Sequence, residues 1–187
     1  MRLFLIHRKN LYRLWAWSLS GSVLVFGVLL LLDSSLRSLT HLGTADLQQF
    51  STAGQYRAAL VFWSRPDFAL RAGFALGLDY LFMPLYAVAL FCSGLVSQEL
   101  LAPRLEPFRR VLAVATLVPV LGAILDAIEN TLELYLLNLA RADDTLAQLA
   151  FRISNLKMAC IYVGLALLLL ALFSLRMKKE EKKLSSP

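Results

Sequence analysis

Residues 111–137 read VLAVATLVPVLGAILDAIENTLELYLL, and this stretch decides the fold. It exceeds the ~20 apolar residues needed to cross ~30 Å of hydrocarbon. Lipid offers no partners for backbone N–H and C=O groups, so an apolar run of this length is a helix. Yet it carries Asp126, Glu129, Asn130 and Glu133. The spacing i, i+3, i+4 and i+7 puts all four on one helix face. A carboxylate at a helix centre costs about 2.5–3.5 kcal/mol to insert. That face cannot look at lipid cheaply, so it should look into a bundle of further helices.

Three more runs supply them: 14–32, which stops at Asp33, 68–97, and 158–175. The expectation is an all-α, polytopic membrane protein of four transmembrane helices. Residues 1–176 form its single transmembrane domain, and 177–187 a charged cytoplasmic tail without fixed structure. The first run is longer than the ~7–15 residues of a signal-peptide core, so it reads as an uncleaved anchor.

Composition agrees. Charged residues make up 17% of the chain, against roughly 25% in soluble domains, and mean hydropathy is +0.63. The net charge is +6, but many of the Lys and Arg flank apolar runs instead of clustering on a polar face. That is a topology signal and argues against a nucleic-acid partner. With the N-terminus inside, the inner segments carry Arg2, Arg8, Lys9, Arg13, Arg104, Arg109, Arg110, Arg176, Lys178, Lys179, Lys182 and Lys183. The outer side carries Arg37, Arg57, Arg65, Arg71, Arg141, Arg152 and Lys157. Twelve against seven places both termini in the cytoplasm of a multi-pass protein in the plasma (inner) membrane, with the lipid bilayer around it.

Between the first two spans, Leu47, Phe50, Leu60, Val61 and Trp63 fall loosely on a helical stripe. This predicts an amphipathic helix over 44–63 in the first outer loop, capped by Thr44 and lying in the interface, with Trp63 at headgroup depth. Ser64-Arg65-Pro66-Asp67 looks like the next helix start, with Ser64 as cap, and Asp143-Asp144-Thr145 starts the last helix.

At 1.5 Å per residue from the cytoplasmic end of each span, Asp126 stands roughly 22 Å up. Glu129, Asp79 in the second span and Lys157 at the head of the fourth all come out at roughly 27 Å, and Asp33 at roughly 28 Å. The candidate ligand-binding set is therefore Asp79, Asp126, Glu129, Asn130, Glu133 and Lys157, near the outer leaflet. Pro84 and Pro119 lie below it, where freed carbonyls and bends could open a polar crevice.

Three uses of such a set remain open. Asp79, Asp126 and Glu129 are candidate metal ligands, since hard divalent cations take oxygen donors, or the carboxylates relay protons or hold a small polar ligand. A carboxylate could also act as a base on a lipid or lipid-linked substrate. Or the charges are structural: Asp79 or Asp126 pairs with Lys157 to hold the helices in register, or Lys157 snorkels to the headgroups. The spans hold no histidine, no Ser-His, Cys-His or glycine-rich phosphate motif appears, and no cofactor is implied.

Other features carry less. His7, His41, Cys92 and Cys160 show no ligand spacing. Ser18 and Ser22 should bond back to their own helix. Tyr80, Tyr86 and Tyr162 read as packing or interface residues. Gly73-Phe-Ala-Leu-Gly77 is a GxxxG pattern, suited either to close packing within the chain or to a homo-oligomer or membrane partner.

Leu78-Asp79-Tyr80-Leu81-Phe82-Met83-Pro84-Leu85-Tyr86, with Asp126-Ala-Ile-Glu129-Asn130 and Lys157, resembles a group of small bacterial four-helix membrane proteins. These pair a Leu-Asp-aromatic segment in the second span with Asp-x-x-Glu-Asn in the third. The resemblance covers spans two to four. It implies that Asp79, Asp126, Glu129, Asn130 and Lys157 act as a set, and implies no reaction.

Overall fold

The computed structural model describes residues 8–101, 106–138 and 143–184. Arg2, His7, Arg104, Arg141 and residues 185–187, invoked above, lie outside the described residues. Five α-helices are present among them: α1 (Arg8–Thr40), α2 (Ala53–Phe62), α3 (Pro66–Leu101), α4 (Arg109–Asn138) and α5 (Asp144–Leu184). Four of them, all but α2, are long and apolar enough to cross a membrane.

Helix α3 is the hub. It packs against α1, α4 and α5, while α4 and α5 pack on each other. More than half of its apolar stretch, 56%, is buried, against 22–28% for the others. Small residues make this possible, because Ala72, Ala75, Ala87, Ala89, Ser93, Gly94 and Ser97 are all buried. Arg8 of α1 pairs with Glu99 of α3 at 2.5 Å, and Trp15 Nε1 donates to Ser93 Oγ at 2.8 Å. Ser97 Oγ donates to the Leu167 carbonyl of α5. The long helices thus run up-down-up-down, and the ends of α1 and α5 meet in one apolar cluster of Leu11, Trp15, Cys92, Val96 and Ala171.

The helices outrun the apolar spans. Asp33 does not end α1, because Arg37 pairs with it one turn on at 3.2 Å and Ser34 and Ser38 bond back to carbonyls. His41, in the left-handed region at φ 60°, ends it. Ser18 and Ser22 bond back as expected. Helix α5 starts as expected, with Asp143 Oδ1 accepting from the Thr145 amide. It continues to Leu184, so the expected loss of structure from Met177 is corrected: Arg176 and Glu180 pair one turn apart. At α3 the first carbonyl to accept is that of Arg65, not Ser64.

The continuous helix expected over 44–63 is two pieces. A 3-10 turn, Thr44–Gln49, precedes α2. Its cap is Gly43, whose amide donates to Asp46, and not Thr44. Phe50 is extended, and Thr52 and Gln55 form a capping box that restarts the helix. The stripe also differs. Leu60 and Val61 are exposed, whereas Leu47, Phe50, Ala53, Tyr56, Ala59 and Trp63 are buried against Leu36, Phe68, Leu76, Leu136, Ala147 and Ala150. Trp63 is 4% exposed and donates to the Leu42 carbonyl. The segment caps the bundle end opposite the α1 and α5 ends, held to α5 by a 2.7 Å bond from the Ala53 amide to Asp144.

Close approach falls on glycines outside the GxxxG pattern. Among the described residues, nothing lies within 4 Å of a Cβ built at Gly73 or Gly77, so neither is a point of close helix approach there. A Cβ at Gly122 would sit 2.9 Å from that of Cys160, and one at Gly164 would meet Leu90 and Pro119. Gly122→Ala should therefore cost about 1–3 kcal/mol by overpacking, whereas Gly27→Ala, whose Cβ would meet no neighbouring helix among the described residues, should cost nothing. Thermal unfolding of both variants in detergent, followed by circular dichroism, checks this; equal stability of the two would refute the packing.

Candidate functional site

The acidic face of α4 turns inward. Asp126 is 3% exposed, Glu129 0%, Asn130 2% and Glu133 1%. Three other helices meet it. From α5, Lys157, 2% exposed, reaches between two carboxylates, with Nζ 3.0 Å from Asp126 Oδ1 and 2.5 Å from Glu129 Oε2. Ser154, one turn earlier on the same face, lies beside Glu129. From α3, the Tyr86 hydroxyl donates to Asp126 Oδ2 at 2.9 Å. Two turns away, Asp79 Oδ2 accepts from Asn130 Nδ2 at 2.8 Å. From α2, which packs on α4, Tyr56 is fully buried and close enough to feel the charges of Glu133 and Glu129.

All six residues singled out in the sequence thus lie in one polar core. The ion pair with Asp126 is the one the structural alternative named. The snorkelling alternative for Lys157 is corrected, because its ammonium points into the protein and not to the surface. Asp79 sits at the edge of the core, half-buried. Asp33 is not part of it: it holds the 3-10 turn through the Ala45 amide at 2.9 Å.

Energetics explain the geometry. Burying an ion costs several kcal/mol even after relaxation. One ammonium shared by two carboxylates recovers much of this, because the pairs are short and Asp126 also accepts from Tyr86. Among the described residues, Glu133 has no such ion pair, and its Oε1, the Tyr56 hydroxyl and Glu129 Oε1 are all buried without a hydrogen-bond partner. Burial, and then the charges of Glu133 and Glu129, push the Tyr56 phenol up from its ordinary range. It therefore stays protonated at any physiological pH.

Among the described residues, no group of three or more carboxylate, thiol or imidazole side chains is arranged to hold a metal ion. Lys157 Nζ fills the place between Asp126 and Glu129 where a cation would otherwise be shared.

Three partners were missed in the sequence. Tyr86, expected to pack, lies seven residues from Asp79 on the same face of α3 and marks the polar side of that helix. Tyr56 was hidden by the stripe chosen for its segment. Ser154 stands one turn before Lys157, a signal that was present.

Lys157→Met should destabilise the protein by about 3–5 kcal/mol, because it strands two buried carboxylates. Adding Asp126→Asn and Glu129→Gln should recover most of that loss. Thermal unfolding in detergent distinguishes this from an ordinary packing defect, which the added changes would not repair.

No family model, curated protein or solved structure matches the chain, so its chemistry has to be read from this geometry.

Proposed function

We propose that the chain is an integral membrane protein that crosses the plasma (inner) membrane four times, with both termini in the cytoplasm. In this reading it binds or carries a small cation or proton through the buried acidic core. Insertion is supported by the outer shell of the bundle, where Trp17, Val23, Leu24, Leu31, Leu70, Leu169 and Phe173 are exposed. Lipid accepts such a surface, and water does not. The orientation rests on the twelve-to-seven distribution of Lys and Arg. Both helix ends that lead to the termini lie at the more basic end. Gly73 and Gly77, open on the side of α3, suit a homo-oligomer contact.

One observation carries the functional reading: among the described residues, the polar core inside an apolar bundle holds Asp79, Asp126, Glu129 and Glu133 but a single lysine, which pairs with Asp126 and Glu129. An unbalanced buried charge is neutralised by protons or by a cation taken up from outside. Such groups inside a span mark ion and proton pathways more often than they serve stability, to which buried pairs add little. A purely structural role is favoured by one fact, the short closure of Lys157 on Asp126 and Glu129.

Reconstitution decides between them. Proteoliposomes containing the full chain, with an entrapped pH-sensitive dye and an imposed Na⁺ or K⁺ gradient, should show flux above empty liposomes. Asp126→Asn or Glu129→Gln should reduce it about tenfold, equivalent to ~1.4 kcal/mol, in protein that keeps its helicity. Flux equal to that of empty vesicles would leave the structural role.

A further inference from the structure

The polar core has two unequal halves. In the first, Lys157 pairs with Asp126 and Glu129 and Tyr86 donates to Asp126, though Glu129 Oε1 is left buried without a hydrogen-bond partner. The second, Glu133 and Tyr56, has no such ion pair among the described residues. Glu133 is 1% exposed and Tyr56 0%, and Glu133 Oε1 and the Tyr56 hydroxyl lack a hydrogen-bond partner. Among the described residues no Lys or Arg lies within ion-pair distance of Glu133, because the nearest ammonium is committed to Asp126 and Glu129. Stranding one buried polar atom costs ~1–3 kcal/mol, and more for a charged group. Two such atoms on packed, facing elements point to a ligand that satisfies both.

The placement is built, not accidental. Glu129 and Glu133 are one turn apart on α4, so their carboxylates share a face. Helix α2 packs on α4, and Tyr56 lies in one buried cluster with Leu136, three residues past Glu133. Phe50 closes over the Tyr56 ring edge-on at 5.3 Å, and Leu136 and Ala147 seal the sides. The phenol stays protonated, so its oxygen offers lone pairs while its hydrogen can turn toward a carboxylate.

We propose that Glu133 and Tyr56, flanked by Glu129, form a binding site for one compact monovalent cation, an alkali ion or a protonated primary amine. This rests on the reading that the acidic core binds cations, and it names the exchangeable half and the ligand class. Charge and ligand number select the class. A divalent ion takes six or more oxygens in an open or octahedral shell, more than Glu133, Glu129 and Tyr56 together offer. A single positive charge matches the one carboxylate that Lys157 leaves without a partner. Because Tyr56 belongs to α2, the ligand also ties the cap to the bundle, and it can leave only when α2 lifts.

The test is a thermal shift of the full chain in detergent, read by intrinsic tryptophan fluorescence. NaCl, KCl and methylammonium chloride are compared with choline chloride at equal ionic strength, and with MgCl₂. One of the three small cations should raise Tm by ~5 °C near saturation. Glu133→Gln should abolish that shift, and Tyr56→Phe should raise the half-saturating concentration about tenfold. Both variants should keep the wild-type helicity in choline. A response to Na⁺ or K⁺ identifies an alkali site, and one to methylammonium alone an amine site. A response to Mg²⁺ alone, an equal response to choline, or an undiminished shift in Glu133→Gln overturns the proposal. If Asp126→Asn still abolishes flux in proteoliposomes while Glu133→Gln retains both flux and shift, this assignment fails and the broader reading survives.

Discussion

Lys157 stands 3.0 Å from Asp126 and 2.5 Å from Glu129, and the middle of the bundle depends on that arrangement. Its energetics dictate much of what surrounds it. An ammonium and two carboxylates are tolerated away from water only if they stay within hydrogen-bond distance of one another. That requirement fixes the rotation of α4, which must turn Asp126 and Glu129 inward. It fixes the rotation and height of α5, which must deliver Lys157 between them. Tyr86 then sets α3 against the same point through Asp126 Oδ2. Three helices with otherwise interchangeable leucine-rich surfaces are brought into one register by a handful of polar atoms.

Packing below this point follows from the same register. With α5 held at Lys157, Cys160 comes onto Gly122 and Gly164 onto Pro119 and Leu90. No side chain larger than hydrogen fits at Gly122 without something moving. Pro119 lies inside a continuous helix at this level, and Pro84 lies inside another, between Asp79 and Tyr86. Above the ion pairs, the bundle is closed by the 3-10 turn and α2. Their buried faces carry aromatic rings and alanines, and their only polar contribution to the core is Tyr56. The cap thus seals the acidic face and adds one hydroxyl to it.

Some of this was legible in the sequence and some was not. The four long helices followed from run length, and the inward face of α4 followed from the spacing of Asp126, Glu129, Asn130 and Glu133. The identity of the residues that meet that face followed in part: Asp79 and Lys157 were named because ionisable groups in apolar runs need partners. What Lys157 does was ambiguous, since a lysine at the head of a span can equally reach outward. Only the rotation of α5 decides, and a run as uniform as residues 165–172 does not encode it. The cap was misjudged for a local reason. Gln55 Oε1 accepts from the Ser51 and Thr52 amides and Thr52 Oγ1 from the Gln55 amide, so the helical period restarts there. The buried stripe therefore shifts to Ala53, Tyr56, Ala59 and Trp63, and a single-period search passes it by. The glycine pattern misled similarly, because spacing on one helix says nothing of which face a neighbour occupies.

The most direct test of the central ion pairs is a distance. With lysine Nζ labelled by ¹⁵N and aspartate carboxyl carbons by ¹³C, rotational-echo solid-state NMR of the protein in lipid reports how close they lie. One lysine signal, lost in Lys157→Met, should dephase with a separation below about 4 Å, the reach of an ion pair. A Lys157 signal that shows no coupling to any aspartate carboxyl would contradict the account, because the ammonium would then lie outside the core that the bundle is built around.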